Sequence, residues 1–342
     1  MSKYRQVVLF GSPGTGKSRM VRTEMLPELG IDPESENCEQ AVFHPEYSYG
    51  DFMGKLMPLT KDGDVRYDYY EGSFLSALSK AYKNILQDDS GEPDNVALVI
   101  DEINRGNSAA IFGTVFQLLD RKRKGEIEGW SEYLAGVSNM EFSRLMELIG
   151  ISTGTKRIRG VKKTVYQYRG NEYVEDDINY LLEDNLNIRK NKIRIPANLS
   201  IIATMNTSDK SIYHMDAAFK RRWSWKYVDV DATLKSKTGN AFETREEWES
   251  FVDNLNNFIM DNEQYIRDVE DRLIGYWFIG KEEGPITLAE VQNKLMFFIW
   301  DSIFETNRNP ISDILSSGNG KMLTFGQFSD EVEEFIYAVQ NR

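Results

Sequence analysis

QVVLFGSPGTGKS, residues 6–18, joins a short apolar run to a glycine-rich segment, Gly11-Ser12-Pro13-Gly14-Thr15-Gly16-Lys17-Ser18, that matches G-x-x-x-x-G-K-[ST] in full. The context is the one this pattern demands, a strand before it and a helix after it. Gly14 and Gly16 let successive backbone N–H groups close around an anionic triphosphate, at the positive end of a helix that starts near Lys17. In that arrangement Lys17 reaches the β and γ phosphates and Ser18 holds Mg²⁺. Gly11, Ser12, Pro13 and Thr15 complete the cradle. A strand, a phosphate loop and a helix in this order open an α/β fold.

Working outward, NVALVIDEINRGN (95–107) carries five consecutive apolar residues, 96–100, and ends in Asp101-Glu102. A continuous apolar run suits a central parallel strand covered on both faces. Ligands bind at the carboxyl ends of such strands, so Asp101 is placed to hold Mg²⁺ through water and Glu102 to orient or deprotonate an attacking water. SIIATMNTSDKS (200–211) reads as another central strand, delivering Asn206 beside the other two carboxyl ends. Alone, an Asn there is an Asx-turn that ends a strand. Next to a phosphate loop, its amide is expected to face the γ-phosphate or the attacking water. HMDAAFKRRWSW (214–225) reads as a short helix over 215–220, then Arg221-Arg222, then an aromatic strand over 223–230. Arginines at a helix C-terminus often only complement the dipole. NTP hydrolysis also uses an arginine supplied by a neighbouring subunit, and Arg221 or Arg222 is the candidate.

The 342 residues suffice for two domains, and 41% hydrophobic with 28% charged residues describes a folded chain. A net charge of −13 argues against a protein that coats DNA nonspecifically through its whole surface. One cysteine, Cys38, excludes an internal disulfide framework, and two distant histidines, His44 and His214, make a His/Cys zinc site improbable and are read as structural. Any metal is expected on oxygen ligands. With no long apolar run and no signal segment, the expected location is cytoplasmic, with no membrane partner.

VIDEINRGN and IIATMNTSDKS, in this order after the phosphate loop, resemble the McrB family of AAA+ GTPase subunits from modification-dependent restriction systems. FHPEYSYGDF (43–52) looks like that family's second-strand motif, RIPANLSIIATMNTSDKSIYHMDAAFKRRW (194–223) is similar to it almost throughout, and IGYWFIG (274–280) is similar to its lid motif. The resemblance runs from residue 6 to about 315. MoxR-like AAA+ chaperones share Asp-Glu-Ile-Asn-Arg; the Met-Asn-Thr-Ser-Asp run favours McrB. The resemblance implies a P-loop NTPase with a parallel five-stranded αβα core and a C-terminal helical lid. It also implies a homo-oligomeric, hexameric ring with nucleotide between subunits, and an McrC-like nuclease that stimulates hydrolysis and couples it to DNA translocation and cleavage. GTP is the nucleotide the family implies. The [N/T]-K-x-D guanine motif of Ras-like GTPases is absent, and ATP stays open. Where the family carries a DNA-recognition domain ahead of the motor, the first strand here begins near Met1, so recognition is expected in another polypeptide or in an insertion.

Residues 1–230 are accordingly read as the nucleotide-binding core, with an insertion at about 129–191, and 231–342 as the lid. Between residues 152 and 171 the insertion holds Lys156, Arg157, Arg159, Lys162, Lys163 and Arg169 and no acid. Alternation over 161–168 suggests a hairpin, with Tyr166 and Tyr168 among the charges. DNA contact, an acidic partner and a solvated hairpin are the three readings. NMEFSRLMELIG (139–150) sets Met140, Phe142, Leu145, Met146 and Ile149 at helical spacing as a packing face, and VEDDINYLLEDN (174–185) reads as an acidic surface helix. In the lid, helices are expected over 245–271, 288–306 and 329–340. Trp248, Phe251, Phe258, Phe297, Phe298 and Trp300 are expected as core.

Overall fold

A computed structural model of the chain describes residues 4–61, 64–122, 127–186, 191–207, 213, 215–230, 237–279, 284–315 and 324–342. Residues 208–212, which begin with the Ser-Asp end of the Met-Asn-Thr-Ser-Asp run, His214 and the last residue of IGYWFIG lie outside these. Two compact units divide the chain, Met1–Trp223 and Ser224–Arg342.

The apolar runs become strands because their residues pack on both faces. β1 (Gln6–Gly11) is buried along its whole length. After it come β2 (Cys38–Val42), the hairpin β3 (Gly54–Lys61) and β4 (Asp64–Glu71), and β5 (Val96–Asp101), buried at every position up to its terminal aspartate. The insertion holds β6 (Ala135–Gly136), β7 (Ser152–Ile158), β8 (Val161–Tyr168) and β9 (Asn171–Val174). β10 (Lys192–Ile193) and the long, buried β11 (Leu199–Asn206) follow, then β12 (Ser224–Tyr227), with which the second unit begins. Within the first unit the main sheet is parallel, in the order β1-β11-β5-β2. β11 is therefore an inner strand between β1 and β5, with Gly11 level with Asn206 and Ile100 level with Ala203. Each fully buried Val, Leu, Ile or Phe in these runs contributes about 1.5–3 kcal/mol. The helix Ser73–Gln87 covers the sheet through Phe74, Leu75, Leu78, Ala81 and Tyr82, an i, i+1, i+4, i+7, i+8 stripe.

β6 and β10 pair antiparallel, so the two ends of the insertion leave the core side by side. Arg121 fastens this stem. Its guanidinium is buried, stacks 4.4 Å over Tyr4, and donates to the carbonyls of Gly129 (2.6 Å), Pro196 (2.9 Å) and Leu199 (3.1 Å). Replacing Arg121 by Leu strands three buried acceptors and is expected to lower stability by about 3 kcal/mol, measured by urea unfolding. Beyond the stem lie the helix Asn139–Leu148, the three-stranded meander β7-β8-β9 and the helix Glu175–Leu186. The expected hairpin thus has a third strand, because the turn at Arg169-Gly170 folds β9 back onto β8. Phe142, Leu145, Met146 and Ile149 are buried as expected, whereas Met140 is 46% exposed. It lines, with Leu56, Tyr67, Tyr70 and Arg144, a cavity of about 570 Å³ against the β3–β4 hairpin. That hairpin was not anticipated: its alternation of charged and aromatic residues buries neither face.

In the second unit, β13 (Asn240–Phe242) pairs antiparallel with β14 (Ile286–Thr287). Thr244 and Glu247 form a reciprocal cap on the helix Arg245–Asp261, whose Trp248, Phe251, Val252, Leu255, Phe258 and Ile259 are buried. It stops at Asp261, short of the expected 271, and short turns at Glu263–Tyr265 and Val269–Arg272 follow. Thr287 and Glu290 cap a second helical run, which continues through π-helical segments at Val291–Met296 and Ile299–Ile303. Phe297, Phe298 and Trp300 are buried, and Asn309–Ile314, Phe325–Asp330 and Val332–Gln340 complete a helical unit. No helix among the described residues is long and apolar enough to cross a membrane.

Candidate nucleotide site

Three strand ends build the site. β1 runs out at Gly11, and the loop turns through Gly14 (φ 81°) and Gly16 (φ 87°), left-handed positions that a side chain rarely adopts, with open space where a Cβ would stand. Gly16 sits immediately before the helix that starts as Lys17–Met20 and runs through Val21–Met25 to Leu26–Glu28. Its first backbone N–H groups have no intrahelical acceptor, which makes the loop an anion cradle. Lys17 is buried, and its ammonium donates to the carbonyls of Gly11 (3.1 Å) and Ser12 (2.8 Å). Burial pushes its pKa below the ordinary lysine value, and the Glu102 carboxylate pulls the other way.

The hydroxyl of Ser18 lies 3.3 Å from Asp101 Oδ1, which also accepts from the Thr204 hydroxyl at 2.8 Å. Thr204 in turn accepts from the Glu102 backbone N–H at 3.3 Å. Glu102 holds φ 57°, a left-handed value for a residue with a full side chain, and such strain is characteristic of functional positions. The Asn206 amide donates to Glu102 Oε1, while Asn104 Nδ2 donates to the Asn206 carbonyl at 3.1 Å. The structure thus brings Lys17, Ser18, Asp101, Glu102 and Asn206 together, and Asn206 is held against the carboxylate of Glu102.

Hydroxyl and carboxylate oxygens converging at Ser18 and Asp101 suit a hard cation such as Mg²⁺. Among the described residues no cluster of three or more His, Cys, Asp or Glu forms a protein-only metal cage. Mg²⁺ takes few protein ligands and completes its shell with phosphate oxygens and water.

Arg221 and Arg222 lie between two anchors, Phe219 and Trp223, both buried in an aromatic cluster with Phe112. Their environments differ. Arg222 pairs with Asp120 (2.8 Å), donates to the Ala218 carbonyl (2.7 Å) and stacks 4.2 Å over Phe116, its side chain 9% exposed. Arg221 is exposed.

Thr204, Asn104 and Asp120 escaped the reading of the sequence. Thr204 was within reach, since it stands two residues before Asn206 and shares its face of β11. Asn104 and Asp120 carried no such signal, because their partners are 102 residues away in the chain.

Residues 6–223 match the family described as AAA domain (dynein-related subfamily). The chain is 28% identical to the type II restriction enzyme BsuMI component YdiS of Bacillus subtilis (strain 168), over 97% of this chain and 85% of that protein. It is 24% identical to the type IV methyl-directed restriction enzyme EcoKMcrB subunit of Escherichia coli (strain K12), over 73% of this chain and 41% of that protein. A matching domain over most of the core, the strand order and the constellation around Lys17 agree: the chain belongs to the AAA domain family, in its dynein-related subfamily, and is related to McrB-type restriction components.

Proposed function

We propose that this chain is the nucleotide-hydrolysing motor subunit of an McrB-like restriction complex, with GTP as its nucleotide. The observation that carries this reading is the linked set Ser18–Asp101–Thr204 and Glu102–Asn206 at the mouth of the phosphate loop, in a chain whose relatives are named restriction components. Gly11, Ser12, Pro13, Gly14, Thr15 and Gly16 wrap the phosphates, and Lys17 neutralises charge between the β and γ groups. Ser18 and Asp101 would hold Mg²⁺, which supplies charge stabilisation to the transferring phosphoryl group. Glu102, oriented by Asn206, accepts a proton from the attacking water. Arg221 supplies the cation that a neighbouring subunit's site lacks, so the working form is a homo-oligomeric, hexameric ring. An McrC-like nuclease partner turns the hydrolysis cycle into DNA translocation and cleavage.

The test is steady-state hydrolysis of GTP and ATP in parallel with Mg²⁺, with Lys17→Ala as the blank. A GTP preference of tenfold or more, about 1.4 kcal/mol in transition-state binding, is expected. A clear ATP preference would replace this reading with a MoxR-like remodeller of protein complexes.

A further inference from the structure

The basic block of the insertion is spread over β7 and β8 in a way that a purely structural hairpin avoids. The register sets Lys156 opposite Lys163 and Arg157 opposite Lys162. Like charges therefore face each other on both faces of the ladder, which weakens a sheet. Arg159 follows at φ 51° as the first residue of a two-residue turn, with Gly160 at φ 81°. That position ordinarily takes Asn, Asp or Gly. The second turn repeats the pattern with Arg169 at φ 48°, but there the guanidinium donates to the Leu86 carbonyl at 2.6 Å and helps fasten the meander to the core. Arg159 has no comparable contact among the described residues. Of the five cations at 156, 157, 159, 162 and 163, Lys156 alone is paired among the described residues, with Glu172 at 2.8 Å.

Alternation sorts these groups. Val165 is 4% exposed, so the face bearing Val165, Lys163 and Lys156 turns towards the body of the insertion near its base. The opposite face carries Arg157 and Lys162 as one cross-strand pair, Thr155 and Thr164 as the next, and then Tyr166 opposite Tyr173. Arg157, Lys162, Thr155 and Thr164 are all exposed.

We propose that this outer face, with Arg159 at its tip, grips the phosphate backbone of duplex DNA, an assignment that rests on the restriction-motor reading above. Guanidinium, ammonium and hydroxyl donors are the groups that contact phosphates, and such contacts position a duplex without reading its sequence. The chain's net charge of −13 repels nucleic acid elsewhere, so contact is confined to a patch where positive charge is concentrated. This also accounts for the repulsion within the hairpin, which a polyanion relieves.

The experiment is a fluorescence-anisotropy titration of the full chain, with GTP and Mg²⁺, on a labelled duplex of arbitrary sequence over a series of salt concentrations. The Arg157→Gln/Lys162→Gln double variant is expected to bind roughly 10- to 100-fold more weakly at moderate salt and to lower the slope of log K against log salt by about 2, two phosphate contacts being lost. The charge-keeping Arg157→Lys/Lys162→Arg variant restores both. Both replacements sit at exposed positions and remove like-charge repulsion, so weaker binding is not a folding defect. Hydrolysis without DNA, measured on the same samples, reports on the nucleotide site alone and separates failure of this proposal from failure of the motor reading. Equal affinity and equal slope for the Gln variant would overturn the assignment. So would a wild-type chain that binds polyglutamate and leaves the duplex free, a result that points to an acidic protein partner.

Discussion

Replacing Glu102 by Gln is expected to leave nucleotide affinity unchanged and to reduce turnover about 10²- to 10⁴-fold, the range that a positioned general base contributes. The substitution is nearly isosteric. A glutamine carbonyl still accepts the hydrogen bond that Asn206 gives to Glu102 Oε1, and the left-handed backbone at φ 57° is no more strained than before. The change therefore removes basicity together with the negative charge that acts on Lys17. Neither Lys17 nor Ser18 is replaced, so the phosphate loop and the proposed oxygen ligands for Mg²⁺ persist. Nucleotide binding by fluorescent-analogue titration and single-turnover hydrolysis separate the two quantities. Turnover retained within tenfold of wild type removes Glu102 from the base role and leaves it as an orienting residue.

The adjacent arginines are expected to separate into two phenotypes. Arg221→Ala should fold normally and lose about 10³-fold or more in turnover, the contribution of an arginine that neutralises transition-state charge on a phosphoryl group. Arg222→Ala should instead lower stability by about 3 kcal/mol, because it breaks a largely buried pair with Asp120, the stacking on Phe116 and the hydrogen bond to the Ala218 carbonyl. Urea unfolding and hydrolysis on the same preparations distinguish the two. Complementation sharpens the test for Arg221. Arg221→Ala subunits keep an intact phosphate loop, and Lys17→Ala subunits keep an intact Arg221. Mixing two inactive samples is expected to recover part of the turnover if the arginine acts on a neighbour's nucleotide. No recovery from samples that assemble together would mean that Arg221 does not act on a neighbour's nucleotide.

The nucleotide-binding core was legible in the sequence alone. Gly14, Gly16 and Lys17 require a particular backbone path around phosphate, and the apolar runs ending at Asp101 and Asn206 have no stable place except inside a parallel sheet. The local chemistry of those stretches is strong enough to be read one segment at a time. Tertiary structure decided the rest, for reasons visible in particular residues. Arg221 and Arg222 are indistinguishable as letters; one is withdrawn from solvent because Asp120 and Phe116, over a hundred residues upstream, fold beneath it. Thr204 joins Asp101 to Glu102 only because β11 enters the sheet between β1 and β5. The β3–β4 hairpin and the third strand of the insertion depend on pairing registers that exposed, polar strands specify weakly, since no buried face selects among them. Arg121 looks like any surface cation until the carbonyls of Gly129, Pro196 and Leu199, on either side of the insertion, close around it. Short-range signals encode what a segment can be, whereas the partners that settle a charged side chain's role arrive from distant parts of the chain and are created by the fold itself.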